Sequence, residues 1–524
     1  VADPKNLKAQ YEEADGKRAS FMERCRNYAA LTIPDVLPPL NQTLDSELPA
    51  CWRNIGGVGV ENMVGRIITS LYPIGVPWFR ILPSADVRAS VDRGELPVDY
   101  YNEFVLKLAV RELIAASHME NTNYRVVKRD VIESLVVCGN ALSRTAKDYN
   151  QRYFRFDQWT CKRSGSGELL WTTTKELVHP VQLTEEQRSL ANIKADDDKD
   201  HELYTRSRRV GDISDIRWVV EQEIDGHKIN ESRPLKFNPF KCVTYRLVPG
   251  EDYARGFIST RYPDLKSVNM LWEALIFGMG NAAKCTPVVD PTDPNLKPVD
   301  MQKPNGVPVI GRVQNGVVQY AAFLKTDKMA DFQVAMKGVE ALEQSLGKAM
   351  LLESEAMPTG DRVTATVVMR IAREMEGALG GPYAHMADQN QKPDIEEHLR
   401  MMEADGILEH IPSELARTDV LTGASALSKQ MEHDKLLNAI QMIFSLGPEA
   451  ANRLNLEVAV DRLLSYEGVD TAGLVKTAEQ VQAELQQRMQ SAVVPDAAKQ
   501  AFKTMGDLVT QRQAAQLQNQ PVKE

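Results

Sequence analysis

Apolar residues recur at helical spacing through most of the first 140 residues. From Pro4 to Ala30, Leu7, Tyr11, Ala14, Phe21 and Tyr28 fall near multiples of a helical turn, which predicts one helix. Pro34 to Pro49, with Pro38-Pro39 inside it, breaks that pattern into a loop. Further helices are predicted over Val58–Tyr72, ending before Pro73; over Val98–Ser117, opening after Pro97; and over Asn123–Val137, stopped by Gly139-Asn140.

Residues 150–250 change period. Tyr153–Phe156, Leu169–Thr173, Ile216–Val220 and Cys242–Arg246 are short runs rich in aromatic and β-branched residues and predict strands. Asp225-Gly226 predicts a hairpin turn, because both central residues of a type I′ turn need positive φ.

Two long stripes come next. Leu265, Val268, Trp272, Leu275, Met279 and Ala282 form one; Phe332, Ala335, Val339, Leu342, Leu346 and Ala349 form the other. Residues 286–325 between them hold six prolines, the turns Asn305-Gly306 and Asn315-Gly316, and strand-like runs at Val307–Ile310 and Val317–Tyr320. Two helices therefore bracket a β-rich excursion. Ser354–Gly360 is a polar breaker. Beyond it, Val363, Val367, Ile371, Met375 and Leu379 line one face of a new helix, and Gly380-Gly381-Pro382 predicts a kink. The stretch 474–524 carries eleven glutamines and two amphipathic segments that suit packing against neighbouring chains before a frayed tail.

Composition narrows the chemistry. The 524 residues are 43% hydrophobic and 26% charged, ordinary for a globular protein, with room for several domains. No run of eighteen uncharged apolar residues occurs, so no membrane span is expected, and Val1–Lys5 shows no secretory signal. Six scattered cysteines read as reduced, buried thiols of a cytoplasmic protein. The net charge of −10 argues against a face that grips DNA tightly by neutralising phosphate.

Enzyme motifs fail one by one. Gly57-Val58-Gly59 has Asn62 where a dinucleotide loop needs glycine, and Gly347-Lys348-Ala349 lacks the rest of a phosphate loop. His398 and His410 have no ligand partner at metal-binding spacing and are expected at the surface. Gly165-Ser166-Gly167 reads as a hairpin turn, and Asp196–Asp200 as solvated charge without calcium-loop spacing. No catalytic residue, metal ligand or cofactor is expected.

Several segments together resemble the portal, or head-to-tail connector, of short-tailed double-stranded DNA phages. They are Leu31-Thr-Ile-Pro34; Met63 through Leu71-Tyr72-Pro73 with Trp78-Phe-Arg80; Val137-Cys-Gly139-Asn140; Tyr253-Ala-Arg-Gly256 with Asp264–Ser267; and Gly360–Ala365 with Leu379-Gly-Gly381 and Tyr383. Their order covers residues 31 to 390. One departure is Thr366-Val367-Val368, where relatives tend to be acidic, which leaves the register of that helix open.

The resemblance implies an α+β, mainly helical subunit, assembled as a twelve-membered ring at one capsid vertex of the virion. It implies a wing over 1–261, stem helix one over 262–285, a clip over 286–325 and stem helix two over 326–352. A tunnel loop over 353–362, a long wing helix and return over 363–442, and a crown with a flexible tail over 443–524 complete the order. The implied partners are further copies of the chain, double-stranded DNA in the tunnel, terminase, tail adaptor or nozzle proteins, and the major capsid, scaffolding and internal core proteins. Hydrolysis of ATP would belong to the terminase.

Within that frame, residues take roles. Residues 326–353 hold three lysines and five carboxylates, so a ring of copies would be mildly acidic, repelling phosphate while lysines offer shallow wells. Lys337 and Lys348, with Glu340, either face DNA or pair as ordinary i, i+3/i+4 neighbours. In the tunnel loop, Met357-Pro358 forms a stiff apolar tip beside Glu355 and Thr359. Gly360 allows reversal, Asp361 caps the next helix, and Arg362 meets phosphate or Glu355 of a neighbour. Lys297, Lys303 and Arg312 of the clip offer charge to an acidic partner. Two other readings remain, a monomeric adaptor or scaffold and a nucleic-acid-processing hydrolase with an unusual site.

Overall fold

The computed structural model describes residues 6–40, 46–73, 78–194, 197–211, 215–230, 233–283, 286–289, 313–314, 317–318, 321–324, 329–352, 365–412, 414–420, 440–443 and 445. Two compact units divide the chain, Val1–Leu427 and Ser428–Glu524. Of the second unit, residues 440–443 and 445 are described, and they are helical.

The expected first helix is two. Asn6 caps α1 (Leu7–Lys17) by accepting from the Ala9 N–H, and α2 spans Ala19–Ala30. The break falls at Arg18, whose guanidinium is drawn inward onto the Phe156 carbonyl (3.0 Å) and over the Phe156 ring. That tertiary contact outweighs the apolar periodicity on either side. Next come α3 (Ile55–Leu71), opened by the Asn54 side chain three residues before the expected start, and β1 (Phe79–Pro83). Then α4 (Ala85–Asp92), α5 (Val98–Glu120) and α6 (Tyr124–Val137) follow.

The middle of the unit is antiparallel sheet. Its strands are β2 (Asn140–Thr145), β3 (Gln151–Phe154), β4 (Trp159–Arg163) and β5 (Leu169–Val178). After the short α7 (Glu185–Leu190) come β6 (His201–Val210), β7 (Arg217–Ile224), β8 (His227–Lys228), β9 (Pro234–Leu235) and β10 (Phe240–Thr244). The order β4-β5-β6-β7-β8, with β9 also on β7, makes one sheet, and β10-β2-β3 another. Asp225 and Gly226, at φ of 49° and 85°, turn β7 into β8 as expected. Gly165–Gly167 turn β4 into β5.

The two long helices are α8 (Ile258–Ala283), which begins before the expected Tyr262 and carries Pro263 in its first turns, and α9 (Met329–Ala349). Leu265, Val268 and Leu275 of the first stripe, and Val339 and Leu346 of the second, are buried; Met279 is exposed instead. Between them, β11 (Thr286–Val289) pairs with β14 (Ala321–Leu324), and β12 (Val313–Gln314) with β13 (Val317–Val318). The expected strand Val307–Ile310 lies outside the described residues.

Helix α10 (Ala365–Leu379) ends at Gly380, whose φ of 57° suits glycine, and α11 (Gly381–Ala404) restarts with Pro382 in its first turn. The kink expected there is a full break. Finally β15 (Ala416–Val420) returns to pair with β1, Phe79 opposite Val420. The result is mixed α+β, mainly helical, with several antiparallel sheets.

Two of the segments singled out in the sequence meet in the core. Gly139 (φ 86°) packs its backbone on Arg255 and Gly256, so closely that a Cβ would lie 2.4 Å from their main chain. Asn140 then spans the gap, donating to the Ala254 carbonyl and accepting from the Ala254 N–H, both at 2.8 Å. A backbone approach this tight needs glycine on each side.

Candidate functional site

The pairing of α8 with α9 is built by side chains at both ends. Trp272 donates its indole N–H to Glu343 (2.7 Å), and the Arg53 Nε donates to the same carboxylate (3.0 Å) while stacking over the Trp272 ring. Trp52 packs edge-on against Phe277. Farther along, the Phe332 ring occupies the place a Cβ of Gly278 would need.

Helix α3 carries the other end. Asn62 donates to the carbonyls of Met350 and Leu351, both at 3.0 Å, and so holds the chain where it leaves α9. Gly59 lets Met350 lie directly on α3, since a Cβ there would sit 2.0 Å from its sulfur. Of the Gly57-Val58-Gly59 triplet, Gly59 thus serves helix packing and Gly57 makes room for the Asn54 cap. Arg66 of α3 also holds Glu374 of α10 at 2.8 Å. Both described flanks of residues 353–364 are consequently anchored on one helix. The expected tunnel-loop residues Glu355, Met357, Pro358, Thr359, Gly360, Asp361 and Arg362 lie outside the described residues, as do Lys297, Lys303 and Arg312.

Lys337, Glu340 and Lys348 are all exposed on α9. Eleven residues separate the two lysines, close to three full turns, so they share a face. None of the three makes an ion pair with another described residue, so the Lys337–Glu340 pairing expected as an alternative is not formed. On the rest of the helix pair, Met270 and Phe277 of α8 and Val334 of α9 point outward with more than half their surface exposed.

Sequence reasoning missed the densest polar feature. Lys128 of α6 and Lys241 of β10 converge on Asp394 of α11, each at 2.7 Å, and Lys241 also reaches Glu397 at 2.5 Å. Burial opposes charge on both lysines and on Asp394. It prevails at Lys128, whose pKa is lowered; at Lys241 the two carboxylates outweigh it and raise the pKa. The lysines likewise hold Asp394 below its ordinary value against burial. No motif spacing signals this set, because its members come from three distant segments.

Beside it, His398 is buried, not at the surface as expected. Its ring lies 3.1 Å from the His118 imidazole, nitrogen to nitrogen, and burial, then His118 and Lys241, lower its pKa to about 4. His410 is exposed as expected and pairs with Glu403. Cys25, Cys138 and Cys161 are buried, whereas Cys51 and Cys242 are partly exposed, which corrects the expectation that all are buried. None of these groups forms a nucleophile–base pair in an open cleft.

A family described as bacteriophage head to tail connecting protein matches residues 4–475. The portal protein of Enterobacteria phage T3 is 27% identical, over 96% of this chain and 94% of its own length. The portal protein of Escherichia phage T7 is 26% identical, over 92% of this chain and 90% of its own. Among solved structures, the neck of an empty gene transfer agent particle aligns with 74% of this chain and 86% of its own at 11% identity, with a TM-score of 0.38.

Proposed function

We infer the function from the family to which the chain belongs, the bacteriophage head-to-tail connecting, or portal, proteins. It is a structural, non-enzymatic component of the head–tail junction of the virion. Beyond that membership, our reading is a ring of copies through which double-stranded DNA passes during packaging and ejection. The ring also docks terminase and then tail adaptor proteins.

One observation carries the ring. The α8–α9 pair leaves Met270, Phe277 and Val334 in water while its inner stripe is buried. Large apolar side chains left exposed on the helix pair are what a neighbouring copy would cover. A heterologous contact between identical copies that closes on itself gives a ring. In that ring Lys337, Glu340 and Lys348 face the duplex. Alternating ammonium and carboxylate rings touch phosphate without holding it, because each lysine well is shallow and flanked by repulsion.

On the same reading residues 262–285 and 326–352 are the stem, 286–325 the clip with Lys297, Lys303 and Arg312 toward the packaging motor, and 353–362 the loop that brushes DNA. Residues 1–261 and 363–442 form the wing, and 443–524 the crown and flexible tail. Light scattering of the purified protein, with negative-stain images, tests this. A particle of roughly twelvefold mass with a central hole is expected, and Phe277→Glu should reduce it to small species. A wild-type monomer at every concentration would overturn the ring and favour an adaptor.

A further inference from the structure

One cavity takes no part in the contacts described so far. It holds about 540 Å³, within the range of roughly 300–1,000 Å³ typical of ligand sites. Its wall joins α2, the chain after β10, the start of α8 and the break between α10 and α11. Cys138, Arg255 and Leu379 bring three of the segments singled out in the sequence to this one place.

Charge and apolar surface share the wall. Arg24, Arg246 and Arg255 line it, and no aspartate or glutamate does. Arg255 is held by Glu251 at 2.7 Å. Arg24 and Arg246 are exposed and form no ion pair with another described residue. Arg24 instead stands over the Phe21 ring, 5.5 Å from its centre. Tyr28, Phe257 and Leu379 supply apolar surface, while the Ser259 and Thr260 hydroxyls are donated to the carbonyls of Gly256 and Phe257. Free guanidinium groups beside aromatic and aliphatic side chains suit a carboxylate carried on an apolar chain segment.

The protein itself presents such a segment. Glu47 and Leu48 are exposed, and Glu47 forms no ion pair with another described residue. Residues 38–40 and 46–53 belong to neither helix nor strand, so Glu47 and Leu48 are not committed to a ladder or a helix face. The segment is fixed just beyond them. The Trp52 N–H donates to the Asn269 side chain at 2.8 Å, and the Trp52 ring packs on Phe277, on the helix surface proposed above to meet the neighbouring copy. Glu414-Leu415 has similar chemistry, but its Leu415 carbonyl is held by the Ser84 N–H.

Glu47 and Leu48 do not line the cavity of their own copy. A contact from one surface of a copy to a different surface of the next is heterologous, the kind a ring needs. We propose that the cavity is a docking site for a second copy, whose Glu47 meets Arg24 and Arg246 while its Leu48 covers the apolar part of the wall. The proposal rests on the ring reading and names one contact within it.

A photoreactive benzoylphenylalanine in place of Val248, which also lines the cavity, reports what fills it. The full-length protein is assembled from a mixture of isotope-labelled and unlabelled copies, irradiated with and without duplex DNA, and its cross-links are mapped. Links from Val248 to residues 46–50 are expected, with labelled and unlabelled chains joined in the same product. Arg246→Glu should lower their yield about tenfold or more, and adding Glu47→Arg should restore it. Links to 46–50 within one copy only, links to DNA or to another segment, or a yield unchanged by Arg246→Glu would overturn the proposal. Light scattering on the same sample separates the two readings. A ring without the link overturns this contact alone, whereas a monomer overturns the ring as well.

Discussion

Lys128 and Asp394 form an ion pair at 2.7 Å in which neither side chain has any exposed surface. It joins α6 to α11, and Lys241 ties β10 to the same carboxylate. Two ammonium groups and two carboxylates leave the set neutral. Thr145 donates to Glu397 and accepts from Lys241, and the Tyr72 hydroxyl and Gln151 amide donate to Asp394. A shift of α11 by one residue would strand buried charge, so the network fixes where that helix docks.

Removing one partner should therefore cost far more than a surface pair does. Lys128→Met leaves Lys241 facing two buried carboxylates, and we expect a loss of about 3–5 kcal/mol in urea unfolding at neutral pH. A loss below about 1 kcal/mol would show that the network is not under this constraint.

Acid should weaken the protein through His398. The unfolded imidazole takes up a proton near pH 6.5, but the buried one only near pH 4. Between those values the unfolded chain binds more protons, so stability falls as pH drops from about 6.5 to about 4 and then levels off, by at most about 3 kcal/mol. Stability measured across that window should flatten in His398→Gln; an unchanged slope would assign the effect elsewhere.

Gly139→Ala is expected to be severe, because its new Cβ meets backbone at 2.4 Å in a left-handed conformation. Gly94 has φ of 74° but open space around it. Alanine at Gly94 should cost about 1 kcal/mol from strain alone, and at Gly139 about 3 kcal/mol or more. Equal losses in denaturant unfolding would count against the close contact.

Replacing Lys337 and Lys348 together with alanine should change how long packaged DNA is retained and leave particle mass unchanged. Both lysines are exposed and free of ion pairs with described residues, so stability should shift by less than about 0.5 kcal/mol. Packaging and release kinetics identical to wild type would place them away from the duplex.

The elements best read from sequence are those decided by local pattern. The stripes of α8 and α9, the Asp225-Gly226 turn and the break at Gly380 need only helical period or backbone sterics. Boundaries failed where a distant contact intervened. Arg18 breaks the first helix to reach Phe156, and Met279 leaves its stripe at the end of α8, beside the exposed Phe277. The pairing of β1 with β15 joins strands more than 300 residues apart, which no local signal marks.

The candidate site divides the same way. The order of motifs, and with it the family, lay in the chain, because turn glycines and periodic stripes are local commitments. Tertiary structure alone decided that Asn140 would bridge to Ala254, that Asn62 would hold the chain where it leaves α9, and that Lys128, Lys241 and Asp394 would meet. A titratable group acquires its role from what surrounds it. His398 looks like any histidine until folding sets its desolvation and neighbours.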